Sequence, residues 1–345
     1  LENLLRIGVD IISGETDIRK LIHGCIDAVT EDPGIEVVMI GRGDIYQPVL
    51  DKYHMFNKNI NRISIIEASE VITMDDDPLA VMKQKKDSSI AIGLHALKQG
   101  KIDAFFSPGN TGAIVVASAL ILGRVKGVKK PALASLIPNI EGKANIFLDI
   151  GASSDCEVDD LAKFAVMGKI YAEEMFGKTN PRIGLLNIGE ESHKGNSTSK
   201  AVYKKLMELD INFKGNVEGY QLLSNEVDVI VSDGYIGNIA LKTIEGTATL
   251  FSRLLKYSLK HHVGAFLTYP FYFGALVDLK KKSDPEQYGG APLLGVNGNV
   301  YIGHGKSGRR AVKFGIKAAV NSVRRDILGK LHKRLSEISA NGSEA

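Results

Sequence analysis

Ten consecutive residues, Asn187-Ile188-Gly189-Glu190-Glu191-Ser192-His193-Lys194-Gly195-Asn196, carry two carboxylates, a histidine, a lysine and two asparagines around two glycines. Such a mixture suits the handling of an anion. The apolar run Arg182-Ile183-Gly184-Leu185-Leu186 precedes it, and a helical pattern starts at Ser197. A loop between a buried strand and a helix start is where α/β proteins take anionic ligands, because unpaired N–H groups and the helix dipole point there. A solvated loop with capping residues would look the same over these ten positions. Other loops of the chain therefore decide between the two.

Four more loops stand where strands end and helices begin. Ser107-Pro108-Gly109-Asn110-Thr111-Gly112-Ala113 follows an apolar run, its glycines permit close backbone approach and Thr111 can cap a helix. Ser232-Asp233-Gly234-Tyr235-Ile236-Gly237-Asn238 and Asp149-Ile150-Gly151-Ala152-Ser153 repeat the pattern. Gly303-His304-Gly305-Lys306-Ser307-Gly308 contains Gly-Lys-Ser, but Val300 stands where a Walker A loop needs glycine. Its amides can still cradle a phosphate. In Lys85-Lys86-Asp87-Ser88-Ser89, either Asp87 or Ser88 can cap a helix, and the lysines before it are unfavourable there unless an anion joins them. Gly41-Arg42-Gly43 lacks the third glycine of a dinucleotide fingerprint, since residue 46 is Tyr. Asp75-Asp76-Asp77-Pro78 reads as a helix-start charge pattern, without companion ligands for a metal.

The elements that must hold these loops alternate. Leu5-Val9, Ile35-Ile40, Arg62-Ile66, Ala104-Ser107, Ile146-Ile150, Ile183-Leu186 and Val227-Val231 are apolar on consecutive positions, as strands covered on both faces are. Helical stretches separate them: Thr16-Val29, Ser88-Gln99, Thr111-Leu122, Val158-Glu174, Ile236-Lys260 and a closing helix over Arg309-Leu335. This order predicts an α/β fold, a mostly parallel sheet sandwiched by helices. The boundaries expected are one domain over 1–338, with room for two lobes, and a disordered tail over 339–345.

Composition narrows the function. A net charge of +3 with both signs mixed argues against a dedicated nucleic-acid binder. Two cysteines without a CxxC imply neither disulfide framework nor zinc site, so a reducing cytoplasm is expected; Cys25 lies in a helical pattern and reads as core. The N-terminal residues enter a strand-like run without a leader pattern. The apolar, aromatic stretch from Val263 to Leu279 is shorter than a span and is interrupted by Pro270 and Asp278. Phe251-Lys260 and Phe271-Lys282 read instead as two arms of a protruding helical hairpin at about 250–284, with Pro270 breaking the run between them. Lysines flank its apolar tip, which contains Phe266, Leu267 and Tyr269, as in a peripheral anchor on anionic lipid.

Taken in order, these loops resemble the PlsX-type phosphate acyltransferases of bacterial phospholipid synthesis. The resemblance runs from about Glu67 to Gly303 and rests on long matches. Among them are Leu148-Asp149-Ile150-Gly151-Ala152, Asn187-Ile188-Gly189-Glu190-Glu191, Asp233-Gly234-Tyr235-Ile236-Gly237-Asn238 and Tyr288-Gly289-Gly290-Ala291-Pro292-Leu293-Leu294. It implies transfer of a fatty acyl group from acyl carrier protein to inorganic phosphate, with no required cofactor. It also implies a homodimer, peripheral at the inner face of the cell membrane, feeding a membrane glycerol-3-phosphate acyltransferase. A phosphotransacetylase-like enzyme using acyl-CoA, and a non-catalytic membrane scaffold, are the competing readings.

Phosphorolysis of a thioester needs no protein nucleophile, so lysines, asparagines and glycine-rich backbone suffice. The expected assignments give Lys194 the phosphate or the developing oxyanion, and Asn196, Asn110 and Asn238 orientation by hydrogen bonds. Asp233 orients Lys194 or a water, Lys85 and Lys86 steer a phosphate, and His304 is a candidate proton donor. Asp10, Ser88, Thr111, Gly151 and Lys306 complete the expected phosphate-binding set. The chain departs from the family pattern at three of these loops. It has Asp10-Ile11-Ile12-Ser13-Gly14-Glu15 for Asp-Ala-Met-Gly-Gly-Asp, Ser153 for Asn, and Lys306-Ser307-Gly308 for Ser-Ser-Asn.

Overall fold

Consecutive apolar positions become strands buried on both faces. The computed structural model describes the backbone of residues 4–54, 57–261, 263–282 and 285–341. It describes the side chains of these except 54, 263–270, 280–281, 285–286 and 338–341. The strands are β1 (Leu5–Asp10), β2 (Ile35–Gly41), β3 (Ile63–Glu67), β4 (Ala104–Ser107), β5 (Ala132–Pro138), β6 (Ala144–Leu148), β7 (Ile183–Leu186), β8 (Phe213–Val217), β9 (Val229–Val231), β10 (Ala291–Leu294) and β11 (Val300–Ile302). The helices are α1 (Ile18–Glu31), α2 (Gly43–His54), α3 (Ala80–Lys83), α4 (Ser89–Lys98), α5 (Thr111–Ile121), α6 (Val158–Phe176), α7 (Ser197–Glu208), α8 (Gly234–His261), α9 (Val263–Lys282), α10 (Arg309–Arg324) and α11 (Ile327–Asn341).

Among the described residues the strands form one sheet in the order β3-β2-β1-β4-β11-β10-β5-β6-β9-β7-β8. The pairs from β3 to β11 are parallel, as are those from β6 to β8. Between these blocks β10 and β5 form an antiparallel seam, β11 to β10, β10 to β5 and β5 to β6. Three reversals make the two parallel blocks run in opposite directions. The expected mostly parallel α/β sandwich is found, and the seam is what the sequence did not announce. β5 and β10 escaped notice because one follows Pro131 without a loop signature and the other is four residues long with Pro292 inside.

Alternation along the strands feeds two cores in the first block. Ile7, Val9, Val37, Met39 and Phe106 face α1 and α10, where Cys25 is fully buried as expected, while Val38, Ile40 and Phe105 face α4 and α5. The second block packs against α6, α7 and α11 through Phe164, Met167, Val202 and Leu331.

Two expectations about helices are corrected. The closing helix over Arg309-Leu335 is two helices. Asp326 takes φ +51° and its carboxylate accepts from the Gly329 N–H, which caps a new start and turns the chain. Pro270 does not break the hairpin: α9 runs through it, since proline forfeits one intrahelical hydrogen bond without ending a helix whose flanking turns hold. α8 ends at His261 and α9 begins at Val263. The side chains of Phe266, Leu267 and Tyr269 lie outside the described residues. The last helix reaches Asn341, past the start expected for the tail; residues 342–345 lie outside the described residues.

Candidate active site

A cavity of about 520 Å³ lies between the two blocks. Asp10, at the end of β1, prepares its first wall. Fully buried, it accepts from the Ile12 and Ser13 N–H groups and, at 2.6 Å, from the Ser107 hydroxyl at the end of β4. One carboxylate thus ties two loop starts together. The next loop delivers Asn110 as the cap of α5. Its Oδ1 accepts from the buried Ala113 N–H at 3.0 Å, and its Nδ2 donates to the carbonyls of Thr73, Met74 and Asp76 at 3.2 Å each. Asn110 is therefore spent on holding the helix start. The N–H groups of Thr111 and Gly112, first and second in α5, have no partner among the described residues, and both residues line the cavity. That end of the cavity is an anion seat by geometry.

The loop after β11 closes over it. Glu15 donates its N–H to the Gly305 carbonyl at 2.8 Å, joining this loop to the one after β1. His304 Nδ1 accepts from the Lys306 N–H at 3.1 Å, so in the neutral ring the proton sits on Nε2. Glu15, Gly303, His304, Gly305 and Lys306 all line the cavity, and the Lys306 ammonium has no partner among the described residues.

Opposite stand Gly151 and α8, which presents Asn238, Leu241, Lys242 and Glu245 on one helical face. The helix can come this close because residue 237 is Gly; a Cβ there would lie 1.9 Å from the Asp149 carbonyl oxygen. Asp149 is fully buried, and burial raises its pKa against N–H donors from Leu133, Gly151, Ala152 and Ser153 that favour its anion. Leu133, Ser135 and Leu136 of β5, with Ile150, Ala291 and Ile302, give the remaining wall, which is mainly apolar.

The structure brings together Thr111, Gly151, Asn238, His304 and Lys306 around this cavity, with Asp10 and Asn110 behind its wall. It does not bring in the others. Lys85 is paired with Asp76 at 2.6 Å and donates to the Val71 carbonyl, so no anion is needed to explain it; the pair also lowers the Asp76 pKa. Lys86 is exposed and Ser88 caps α4. Asn196 caps α7, and Asp233 accepts from the Ile236 N–H at the start of α8, with no ion pair to Lys194 among the described residues. Lys194 stands one strand beyond β9, its stem over Gly189 and its ammonium without a partner among the described residues. The departure at Ser153 lies behind the wall, its hydroxyl donating to the Pro131 carbonyl, whereas Glu15 and Lys306 face the cavity. Sequence reasoning missed Ser135, Leu241, Lys242, Glu245 and Tyr288. For the α8 residues a signal existed, since they follow Asn238 at three, four and seven positions.

Solved structures share this architecture. A phosphotransacetylase from Streptococcus pyogenes superposes with a TM-score of 0.60 at 15% identity, covering 93% of this chain and 94% of that one. The EutD phosphotransacetylase from Staphylococcus aureus gives 0.57 at 14% identity, with the same coverage. These likenesses define the class by fold, a phosphotransacetylase-like α/β protein. The profile of the family described as fatty acid synthesis protein matches residues 5–330. The phosphate acyltransferase of Caldanaerobacter subterraneus is 39% identical over 340 residues, 99% of each chain. That of Dictyoglomus thermophilum is 41% identical over 339 residues, 98% of this chain and all of its own. The chain belongs to this fatty acid synthesis family, that of the phosphate acyltransferases.

Proposed function

We propose that this phosphate acyltransferase moves a fatty acyl group from the thioester of acyl carrier protein to inorganic phosphate, forming acyl phosphate for phospholipid synthesis. The observation that carries the reading is the two-ended cavity. At one end the free N–H groups of α5 and the Gly303–Gly305 loop suit a phosphate; at the other, Leu133, Leu136, Leu241 and Ile150 suit an acyl chain. In this reading Thr111, Gly112, His304 and Lys306 hold the phosphate and Asn238 orients it. Lys194, a cation without a partner among the described residues, lies outside the cavity on the loop after β7 and meets the anionic carrier arm.

The same reading makes the protein a homodimer that rests on the inner face of the membrane beside a glycerol-3-phosphate acyltransferase. It is supported by exposed apolar side chains along the hairpin: Phe251 is 67% and Phe271 85% exposed, and Leu254, Tyr257, Tyr272 and Phe273 are exposed too. No helix among the described residues is long and apolar enough to cross a membrane, so attachment would be lateral.

The test is phosphate-dependent release of free thiol from a long-chain acyl carrier protein by the purified protein. No release above the rate without phosphate would sink the reading. Equal or faster turnover of acyl-CoA would sink the assignment of the donor.

A further inference from the structure

Tyr288 lines the cavity between the residues that follow β11 and strand β5. It stands just before β10, in a short 3-10 turn that packs against both β5 and α10. The β10–β11 register pairs Ala291 with Ile302, so the residues preceding Ala291 run back beside the Gly303–Lys306 loop. On its other side lies the apolar wall of β5. A thioester bound with its chain on that wall and phosphate at the α5 start has its carbonyl between them, in the cavity that Tyr288 lines.

The chain holds this tyrosine tightly. Gly289 and Gly290 follow it with φ of +75° and +91°. A Cβ on Gly289 would lie 2.2 Å from the Phe314 carbonyl oxygen, and one on Gly290 would lie 2.9 Å from that of Ile302. The two glycines are thus wedged against α10 and β11 in a backbone form that other residues resist. The backbone that carries this half-buried phenol is thus held in place, and the Gln287 side chain hydrogen-bonds the phenol oxygen, as preorganisation of a donor requires. Burial also raises its pKa, so it keeps its proton throughout the neutral range.

We propose that the Tyr288 hydroxyl is a catalytic hydrogen-bond donor to the thioester carbonyl oxygen as that oxygen becomes an oxyanion. The proposal rests on the acyl-transfer reading above. A phosphate oxygen forms the new C–O bond and the carbonyl π pair moves onto oxygen, where Tyr288 O–H meets it. When the pair returns, the C–S bond breaks and its electrons leave on sulfur as thiolate, which takes a proton from solvent. Tyr288 donates throughout and never transfers its proton.

The experiment compares wild type with Tyr288→Phe, using palmitoyl acyl carrier protein and phosphate, and follows kcat, both KM values and the urea midpoint. Phenylalanine keeps the ring and removes only the donor. A fall in kcat of about a hundredfold, with KM values and midpoint unchanged, is expected. A kcat within twofold of wild type overturns the proposal, as does a loss confined to either KM or to the midpoint, because those mark a wall or packing role. An inactive wild type instead overturns the acyl-transfer reading and the proposal with it, so the two failures are told apart.

Discussion

Asn110→Ala tests the anion seat through the residue that builds it. The substitution removes the cap from a buried N–H, that of Ala113, and the donor that gathers three carbonyls of the Thr73–Asp76 turn. Cap removal costs about 0.5–2 kcal/mol, and a fully buried N–H places this case at the upper end. Thr73 and Met74 are exposed, so water can replace the lost donor at most of the turn and adds little to the cost. The expected destabilisation is about 2 kcal/mol, read as a lower urea midpoint at constant slope. With α5 no longer pinned, its first N–H groups lose their aim and the phosphate KM should rise while the acyl donor KM holds. Asn110→Asp keeps the acceptor but turns a carboxylate toward three carbonyl oxygens, so it should raise the phosphate KM with a smaller cap loss. A wild-type midpoint for Asn110→Ala would refute the capping argument. A lowered midpoint with an unchanged phosphate curve would refute the placement of phosphate at α5.

Lys194→Ala should raise the KM for the acyl carrier protein and leave the urea midpoint unchanged, since its ammonium has no partner among the described residues; an unchanged KM would remove this loop from the carrier's path. Burial opposes ionisation of Asp228, but hydrogen bonds from Arg182 and Lys178 outweigh it and pull its pKa to about 2. A depressed carboxylate stabilises above its unfolded pKa, so about 2 kcal/mol should be lost as pH falls from about 4 toward about 2. Asp228→Asn should remove that part of the acid dependence, and an unaltered acid limb in pH-dependent unfolding would contradict the assignment. Replacing Phe266 and Leu267 together with Glu should release the protein from anionic vesicles in a flotation assay while sparing turnover in solution; surviving vesicle binding would mean that the anchor lies elsewhere.

Much of the fold was legible because buried parallel strands write themselves as unbroken apolar runs, as in Ile35–Gly41 and Ile183–Leu186. The seam was not. Ala291–Leu294 pairs only two residues with each neighbour, and nothing local marks a four-residue segment containing proline as central to a sheet. At the site, the sequence announced the loops but not which of them meet. Asn110, Asn196 and Asp233 looked alike as polar residues at helix starts, and all three turned out to cap; only the spatial order of the strands shows that one of these helix starts opens on the cavity beside His304 while Lys194 stands apart. Ser135 carried no signal, because a lone hydroxyl inside an apolar strand is unremarkable until the opposite wall is known; Tyr288 stood in one of the family matches, but nothing beside it named a partner.

The position of β11 has a consequence for how the chain comes to be made. It lies between β4 and β10, yet everything from Pro108 to Asn299 separates it from β4 in the chain. On the ribosome the first block therefore waits with β4 as an open edge, and with one helix layer missing α10, until residues 300–324 emerge. The second block has its strands β6 to β9 early, and only its α11 side waits for residues that follow α10. An exposed edge held open through most of synthesis invites wrong pairing. A nascent chain halted before Val300 would accordingly be a substrate for chaperones and proteases, and the first block reaches its native state only with β11 and α10.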